Sequence, residues 1–295
     1  MQKYFEPAEL LKFSGLSLIA RTVVDGFLAG LHPSAKKGVS TDFAEHREYA
    51  PGDELKRLDW KVLGKTDRYY IKEYREESTL TCNIMLDCSA SMDYASGPVS
   101  KFRYAVYLAA VFSYLLSKQH DRTGLSVFNS KTREYISPKT GSTHLRVLLD
   151  SLAKLVPEGE TSVQGVLKEA AARLQGRGIN ILISDLYGEQ EEIIKYSRYL
   201  AAGKNEVIVF QVLDQEEIEL SFKDPLTFTG MEDNEIIPAM PEMIRAEYKS
   251  IFKEFTDRYK KAFYEAGISY ILLSTKTPLE EALIHYLTDR ARGNK

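Results

Sequence analysis

Leu80-Thr81-Cys82-Asn83-Ile84-Met85-Leu86-Asp87-Cys88-Ser89-Ala90-Ser91-Met92 is a predominantly apolar run that ends abruptly in an acid and two hydroxyls. It reads as a buried strand with polar groups at its tip. Parallel strands covered by helices on both faces look like short apolar runs, and ligands of open α/β sheets bind beyond the strands' carboxyl ends. Asp87, Ser89 and Ser91 therefore stand where such a site belongs. They supply one carboxylate and two hydroxyl oxygens, a set that suits a hard cation such as Mg²⁺. Cys88 is the one soft atom in the loop.

Working outward, the same strand grammar recurs. Val99 to Lys118 carries Phe102, Ala105, Val106, Leu108, Ala109, Val111, Phe112 and Leu115, apolar around nearly its whole circumference, which predicts a buried helix. Thr123–Phe128 and Thr132–Tyr135 read as two strands joined at Asn129-Ser130, the second free to run antiparallel to the first. Helices are predicted over Thr143–Leu155 and Ser162–Leu174. Asn180–Ser184 is a second apolar run ending in an acid, Asp185; a helix over Glu189–Ala202 and a third run, Val207–Leu213, follow. Residues 216–241, with Asp224-Pro225, Gly230 and Pro238, predict a hairpin or long loop on the rim. The chain then returns to helix over Pro241–Ala266, strand over Ile268–Leu273 and a closing helix over Pro278–Arg290. Strands alternating with helices predict a mostly parallel sheet.

Before the first core strand the pattern differs. From Glu9 to Leu31 apolar residues fall at three- and four-residue steps, the spacing of one helix face, and Pro33 stops that helix. Residues 34–79 carry both signs of charge, a turn at Ala50-Pro51-Gly52-Asp53 and a strand-like alternation from Arg68 to Glu77. The expected organisation is an N-terminal helix and β-containing attachment over 1–77 and an α/β domain over 78–295.

The chain has 295 residues, 44% hydrophobic and 27% charged, with a net charge of -3. That is ordinary for a globular protein and shows none of the basic excess that binding a polyanion requires, so nucleic acid is not an expected partner. The uncharged stretch Tyr104–Ser117 is too short to cross about 30 Å of hydrocarbon, and no membrane span is expected. The acidic, Pro-containing start does not read as a secretory signal, so a cytoplasmic location is the expectation. Cys82 and Cys88 lie at opposite ends of one strand, roughly 20 Å apart at about 3.3 Å per residue, too far to bridge.

The order of an apolar strand, Asp87-x-Ser89-x-Ser91, then Thr161 after the Glu158-Gly159-Glu160 turn, then a strand ending Ser184-Asp185, resembles the von Willebrand factor type A fold. In that fold a metal-ion-dependent adhesion site uses five such positions. The resemblance implies that Asp87, Ser89, Ser91, Thr161 and Asp185 hold Mg²⁺ or Mn²⁺ at the carboxyl ends of a Rossmann-like sheet. Glu160 departs from the small residue usual there and could crowd the site or add charge. The alternative for the same residues is that Ser89 and Ser91 cap the next helix while the two acids are solvated.

The N-terminal stretch sharpens the likeness. Gly38, Phe43, Glu45, Arg47, Glu48, Tyr49, Pro51-Gly52-Asp53, Arg57, Leu58-Asp59-Trp60-Lys61 and Tyr70 resemble the domain of unknown function 58 family of bacterial proteins, in which this stretch precedes a type A domain. These residues read as a scaffold of ion pairs and aromatic rings docked on the core, in preference to a binding surface. The resemblance implies metal-dependent protein recognition, with an Asp or Glu of a partner completing the ion's shell, and association with a MoxR-type AAA ATPase. No catalytic role is expected. The competing class is a Mg²⁺-dependent hydrolase of a phosphate ester. Against it, the Gly-x-x-x-x-Gly-Lys-Ser/Thr phosphate loop is missing, and Ser89 stands where haloacid-dehalogenase-like enzymes need a second acid. Ser151-Leu152-Ala153-Lys154 and Lys139-Thr140-Gly141 echo β-lactamase boxes in reversed order. Of the histidines, His46, His120 and His144 have no nearby Ser or Cys in a recognisable nucleophile context, and His32 and His285 flank helices.

Overall fold

The computed structural model describes residues 4–31, 43–48, 69–74, 80–173, 178–202, 205–230 and 236–293. The chain divides into two compact units, Met1–Gly30 with Leu80–Lys295, and Leu31–Thr79. The sequence placed a boundary between 77 and 78 and grouped the first helix with the attachment. The structure groups that helix with the large unit. The reason is burial: α1 (Leu16–Leu31) contributes Ile19, Ala20, Val23, Val24 and Phe27 to the main core, and the 3-10 turn Pro7–Lys12 before it contributes Leu10. The single helix expected from Glu9 is thus broken. Gly15, at φ +98°, supplies the left-handed residue that separates turn from helix.

In the smaller unit, β1 (Phe43–Glu48) pairs antiparallel with β2 (Tyr70–Tyr74), Arg47 opposite Ile71, with an irregularity between Phe43 and Glu45. The expected Pro33 stop, Gly38, Tyr49, the Pro51-Gly52-Asp53 turn, Arg57 and the Leu58–Lys61 stretch lie outside the described residues.

The large unit is built on six strands: β3 (Thr81–Asp87), β4 (Arg122–Phe128), β5 (Thr132–Lys139), β6 (Ile179–Ser184), β7 (Glu206–Leu213) and β10 (Ser269–Ser274), in the order β10-β7-β6-β3-β4-β5. All neighbours pair in parallel except β5, which runs antiparallel to β4 at the edge. Between β4 and β5 the backbones close up at Gly124, where a Cβ would lie 2.8 Å from Pro138 Cγ and 2.9 Å from the Ile136 carbonyl.

Side chains alternate between the two faces. Ile84, Leu86, Ile181, Ile183, Ile208 and Phe210 face one core, which α1, α2 (Lys101–Lys118), α3 (Ser142–Leu152) and α8 (Leu279–Gly293) complete. Met85, Leu182, Val207 and Val209 face a second core, built with α4 (Val163–Arg173), α5 (Gln190–Ala202) and α7 (Pro241–Glu265). This is the mostly parallel sheet sandwiched by helices that the sequence predicts. The rim segment holds a short helix, α6 (Gln215–Glu219), and a hairpin of β8 (Leu226–Thr229) with β9 (Ile236–Ala239). Among the described residues, no helix is long and apolar enough to cross a membrane.

The order sets the position of the site. From β3 the chain crosses to β4 on one side, whereas β6 lies on the other side of β3. The carboxyl ends of β3 and β6 therefore flank the switch point where an open α/β sheet leaves a crevice.

Candidate metal centre

Asp87 is the last residue of β3 and Asp185 follows β6 directly; both are 0% exposed. Each ties down its own loop in the same way. Asp87 Oδ1 accepts the Ser89 backbone N–H at 3.0 Å, and Asp185 Oδ1 accepts that of Tyr187 at 3.2 Å. Both are local turns that short acidic side chains favour where a strand ends. Each acid keeps its Oδ2 for contacts across the crevice.

Asp87 Oδ2 accepts the Ser184 hydroxyl at 2.6 Å and the Thr161 hydroxyl at 3.3 Å. Asp185 Oδ2 accepts the Ser91 hydroxyl at 2.9 Å, and Ser91 Oγ lies 3.1 Å from Ser89 Oγ. The structure thus brings all five residues singled out from the sequence into one hydrogen-bonded cluster. Thr161 arrives there because its loop is stitched to the first one: Glu158 N–H donates to the Cys88 carbonyl at 3.0 Å and Ala90 N–H to the Gly159 carbonyl at 2.8 Å. Gly159 turns the loop at φ +77°. Glu160 is exposed at this turn.

The capping alternative fails on geometry. The N-cap of α2 is Ser100, whose side chain accepts the Arg103 N–H at 3.2 Å. Ser89 instead precedes a 3-10 turn, Ala90–Asp93, for which it makes no side-chain cap, and Ser91 lies within that turn. The acids are buried, not solvated.

Burial, reinforced by the charge of Asp185, pushes the Asp87 carboxyl up to about 7, against the pull of hydrogen bonds from Ser184 and Ser89. Cys88 is pushed up to about 11, chiefly by burial, and its thiol donates to the Val156 carbonyl at 3.1 Å. It is a neutral thiol at ordinary pH, so the donors at the centre are oxygens. Among the described residues, no group of three or more His, Cys, Asp or Glu side chains gathers to hold a metal ion. The candidate centre has two acids and otherwise hydroxyls.

Ser184, Leu186, Tyr259 and Lys101 escaped the sequence reading of the site. Ser184 bonds Asp87 and also accepts the Leu186 N–H at 3.0 Å. Leu186 is left-handed at φ +59°, a conformation that costs a non-glycine residue roughly 1–2 kcal/mol. Tyr259 holds it through its carbonyl at 3.0 Å. Lys101 donates to Asp185 Oδ2 at 3.0 Å and to Glu217 Oε1 at 2.7 Å. A signal for Lys101 was present: it is a cation at the start of an otherwise apolar, buried helix. Beyond Ser91 and Lys101 opens a cavity of about 390 Å³, lined by Tyr94, Tyr187, Leu220, Phe222, Phe228 and Tyr248 among others.

A family model described as "Protein of unknown function DUF58" matches residues 45–257. An uncharacterized protein of Mycobacterium tuberculosis, Rv1480, is 30% identical over 211 residues, 70% of this chain and 65% of the relative. The chain thus spans less than two thirds of that relative's length. Among solved structures, the conserved hypothetical protein BatB from Bacteroides thetaiotaomicron superposes with a TM-score of 0.48 at 15% identity, covering 72% of this chain and 99% of that one. The VWA domain of SpRpn10 superposes with a TM-score of 0.42 at 9% identity, covering 70% and 94%.

Proposed function

The chain belongs to the DUF58 family of proteins of unknown function, and from that premise we propose that it is a divalent-metal-dependent protein-recognition module, an adaptor or assembly factor working with a MoxR-type AAA ATPase. One observation carries the reading. Two fully buried carboxylates and three hydroxyls, drawn from three loops, converge at the sheet's switch point in a single hydrogen-bonded cluster.

The donor set fits a hard cation, being oxygen throughout. The raised Asp87 fits as well, since an acid that resists ionisation through burial and a like-charged neighbour is one that a divalent ion would satisfy. In this reading Asp87, Ser89, Ser91, Thr161 and Asp185 hold Mg²⁺ or Mn²⁺. When bound, the ion supplies an electrophilic position open to an Asp or Glu of the partner.

The chain's own residues do the remaining work. The Asp87–Ser89 and Asp185–Tyr187 turns fix which oxygen of each acid faces the crevice. Ser184 holds Asp87 Oδ2 in place from the neighbouring strand. Neutral hydroxyls from Ser89, Ser91 and Thr161 add donors without adding charge, which keeps the centre receptive to an anionic ligand. The role is recognition, with no turnover.

A pull-down from lysate with the purified full chain tests this, run with Mg²⁺, with EDTA, and with Ser89→Ala and Thr161→Ala variants in Mg²⁺. Partners are expected with Mg²⁺ alone and depleted in the other three. Partners retained equally in all four place recognition on another surface and overturn the proposal.

A further inference from the structure

Lys101 is the charged group at the centre that the five-oxygen reading leaves unused. Lysine normally lays its stem on the protein and keeps its ammonium in water. Here the side chain is 1% exposed, and the ammonium sits between two carboxylates, Asp185 on the loop after β6 at 3.0 Å and Glu217 on α6 at 2.7 Å. The ring of Tyr187 lies 5.0 Å from it. It is also the first residue of α2, the end at which a helix dipole disfavours a cation. Burial pushes the ammonium toward its neutral form, but Asp185 and Glu217 outweigh that and hold it charged.

Counting the charges in contact around Lys101 and the two acids gives this placement a meaning. Asp87, Asp185 and Glu217 bring three negative charges and Lys101 one positive. A divalent ion at the centre then brings the cluster to neutrality. With an uncharged residue at 101, the loaded cluster keeps a negative charge at the crevice that a partner's carboxylate must enter. The ammonium shares Asp185 Oδ2 with the Ser91 hydroxyl, so its field acts directly on a proposed metal ligand.

Building on the metal-dependent reading above, we propose that Lys101 sets the charge of the centre, weakening the hold of Asp185 on the metal and strengthening the binding of an anionic ligand to the loaded site. It is a positioning residue that acts through Asp185. The two effects have opposite sign because one positive charge repels a dication and attracts a carboxylate. A purely structural bridge between the Asp185 loop and α6 would, on removal, weaken both or leave both alone.

The test uses the full chain, with Mn²⁺ as the metal probe and acetate as the carboxylate probe. Mn²⁺ affinity is measured by calorimetry, and acetate binding to the loaded protein by the loss of water-proton relaxation as coordinated water is displaced. Lys101→Met is expected to bind Mn²⁺ about ten-fold more tightly or better, and acetate about five-fold more weakly or worse. Glu217→Gln, which removes a negative charge at the more accessible partner, is expected to shift both in the reverse directions. Lys101→Arg is expected to stay near the parent protein. Should Lys101→Met fail to fold, Glu217→Gln still decides the matter. Changes in the same direction, or affinities that neither variant moves while the parent binds Mn²⁺, overturn the role of Lys101 alone. A parent chain that binds no Mn²⁺ at millimolar concentration overturns both this inference and the reading beneath it.

Discussion

Replacing Asp87 by Asn removes a charge from one of the two fully buried acids of the centre while keeping its shape. The structure predicts how stability then depends on pH. The Asp87 carboxyl rises from an ordinary 3.8 to about 7, first through burial and then through the charge of Asp185. An acid whose folded value lies above its unfolded value holds its proton more tightly in the native state. The native state therefore binds more protons than the unfolded chain between those two pH values, and stability falls as pH rises through the window. At about 1.4 kcal/mol per pH unit, the gap between 3.8 and about 7 bounds the loss at about 4 kcal/mol. Relaxation and water entry around a group at a loop end reduce this, and about 2 kcal/mol is the expected measured value. Asn also weakens the contacts from Ser89, Ser184 and Thr161, but that cost is the same at every pH. Urea unfolding in EDTA at pH 5 and pH 8 reads the effect. The parent protein is expected to lose about 2 kcal/mol more than Asp87→Asn between those values. Adding Mn²⁺ at pH 8 is expected to restore stability to the parent alone, as a ligand that binds only the native state must. Equal pH slopes for the two proteins would refute the argument that burial strains this acid, and a parent that gains on Asp87→Asn as pH rises would reverse its sign.

Asp87→Ala is expected to lose Mg²⁺ and Mn²⁺ binding in calorimetry while its circular dichroism stays native, because the two apolar cores are untouched; unchanged metal affinity would remove Asp87 from the site. Phe27→Ala on α1 empties a fully packed position and is expected to cost about 3–5 kcal/mol in chemical unfolding, whereas a cost under about 1 kcal/mol would mean that α1 is only loosely attached. Gly124→Ala pushes a Cβ into Pro138 and the Ile136 carbonyl and is expected to cost about 1–3 kcal/mol, read as a lowered Tm. A phosphatase and ATPase screen of the pure chain, with and without Mg²⁺, is expected to show no turnover; Mg²⁺-dependent release of phosphate would favour the hydrolase reading instead.

The sequence by itself determined the elements of the large unit and the order in which polar residues leave its strands. Period-two and period-3.6 apolar patterns are local, and a residue's preference for one or the other is decided within a few positions. The runs ending at Asp87 and Asp185, the buried helix between Lys101 and Lys118 and the loop carrying Thr161 were all legible for that reason. Their meeting at one point followed from the rule that open α/β sheets bind at their carboxyl ends. Where the first helix belongs was not legible. Its apolar face is the same whether it covers the attachment or the sheet, and only packing put Val24 and Phe27 into the main core. Nor was the charge environment of the centre. Lys101 meets Asp185 and Glu217 across 84 and 116 residues of chain, and Ser184 meets Asp87 across 97. Those pairings depend on strand order and on which loop folds over which, and the field at a buried acid is a sum over neighbours that no local pattern encodes. The same physics lifts Asp87 and keeps Lys101 charged, so the chemical state of the centre was decided by the tertiary structure alone.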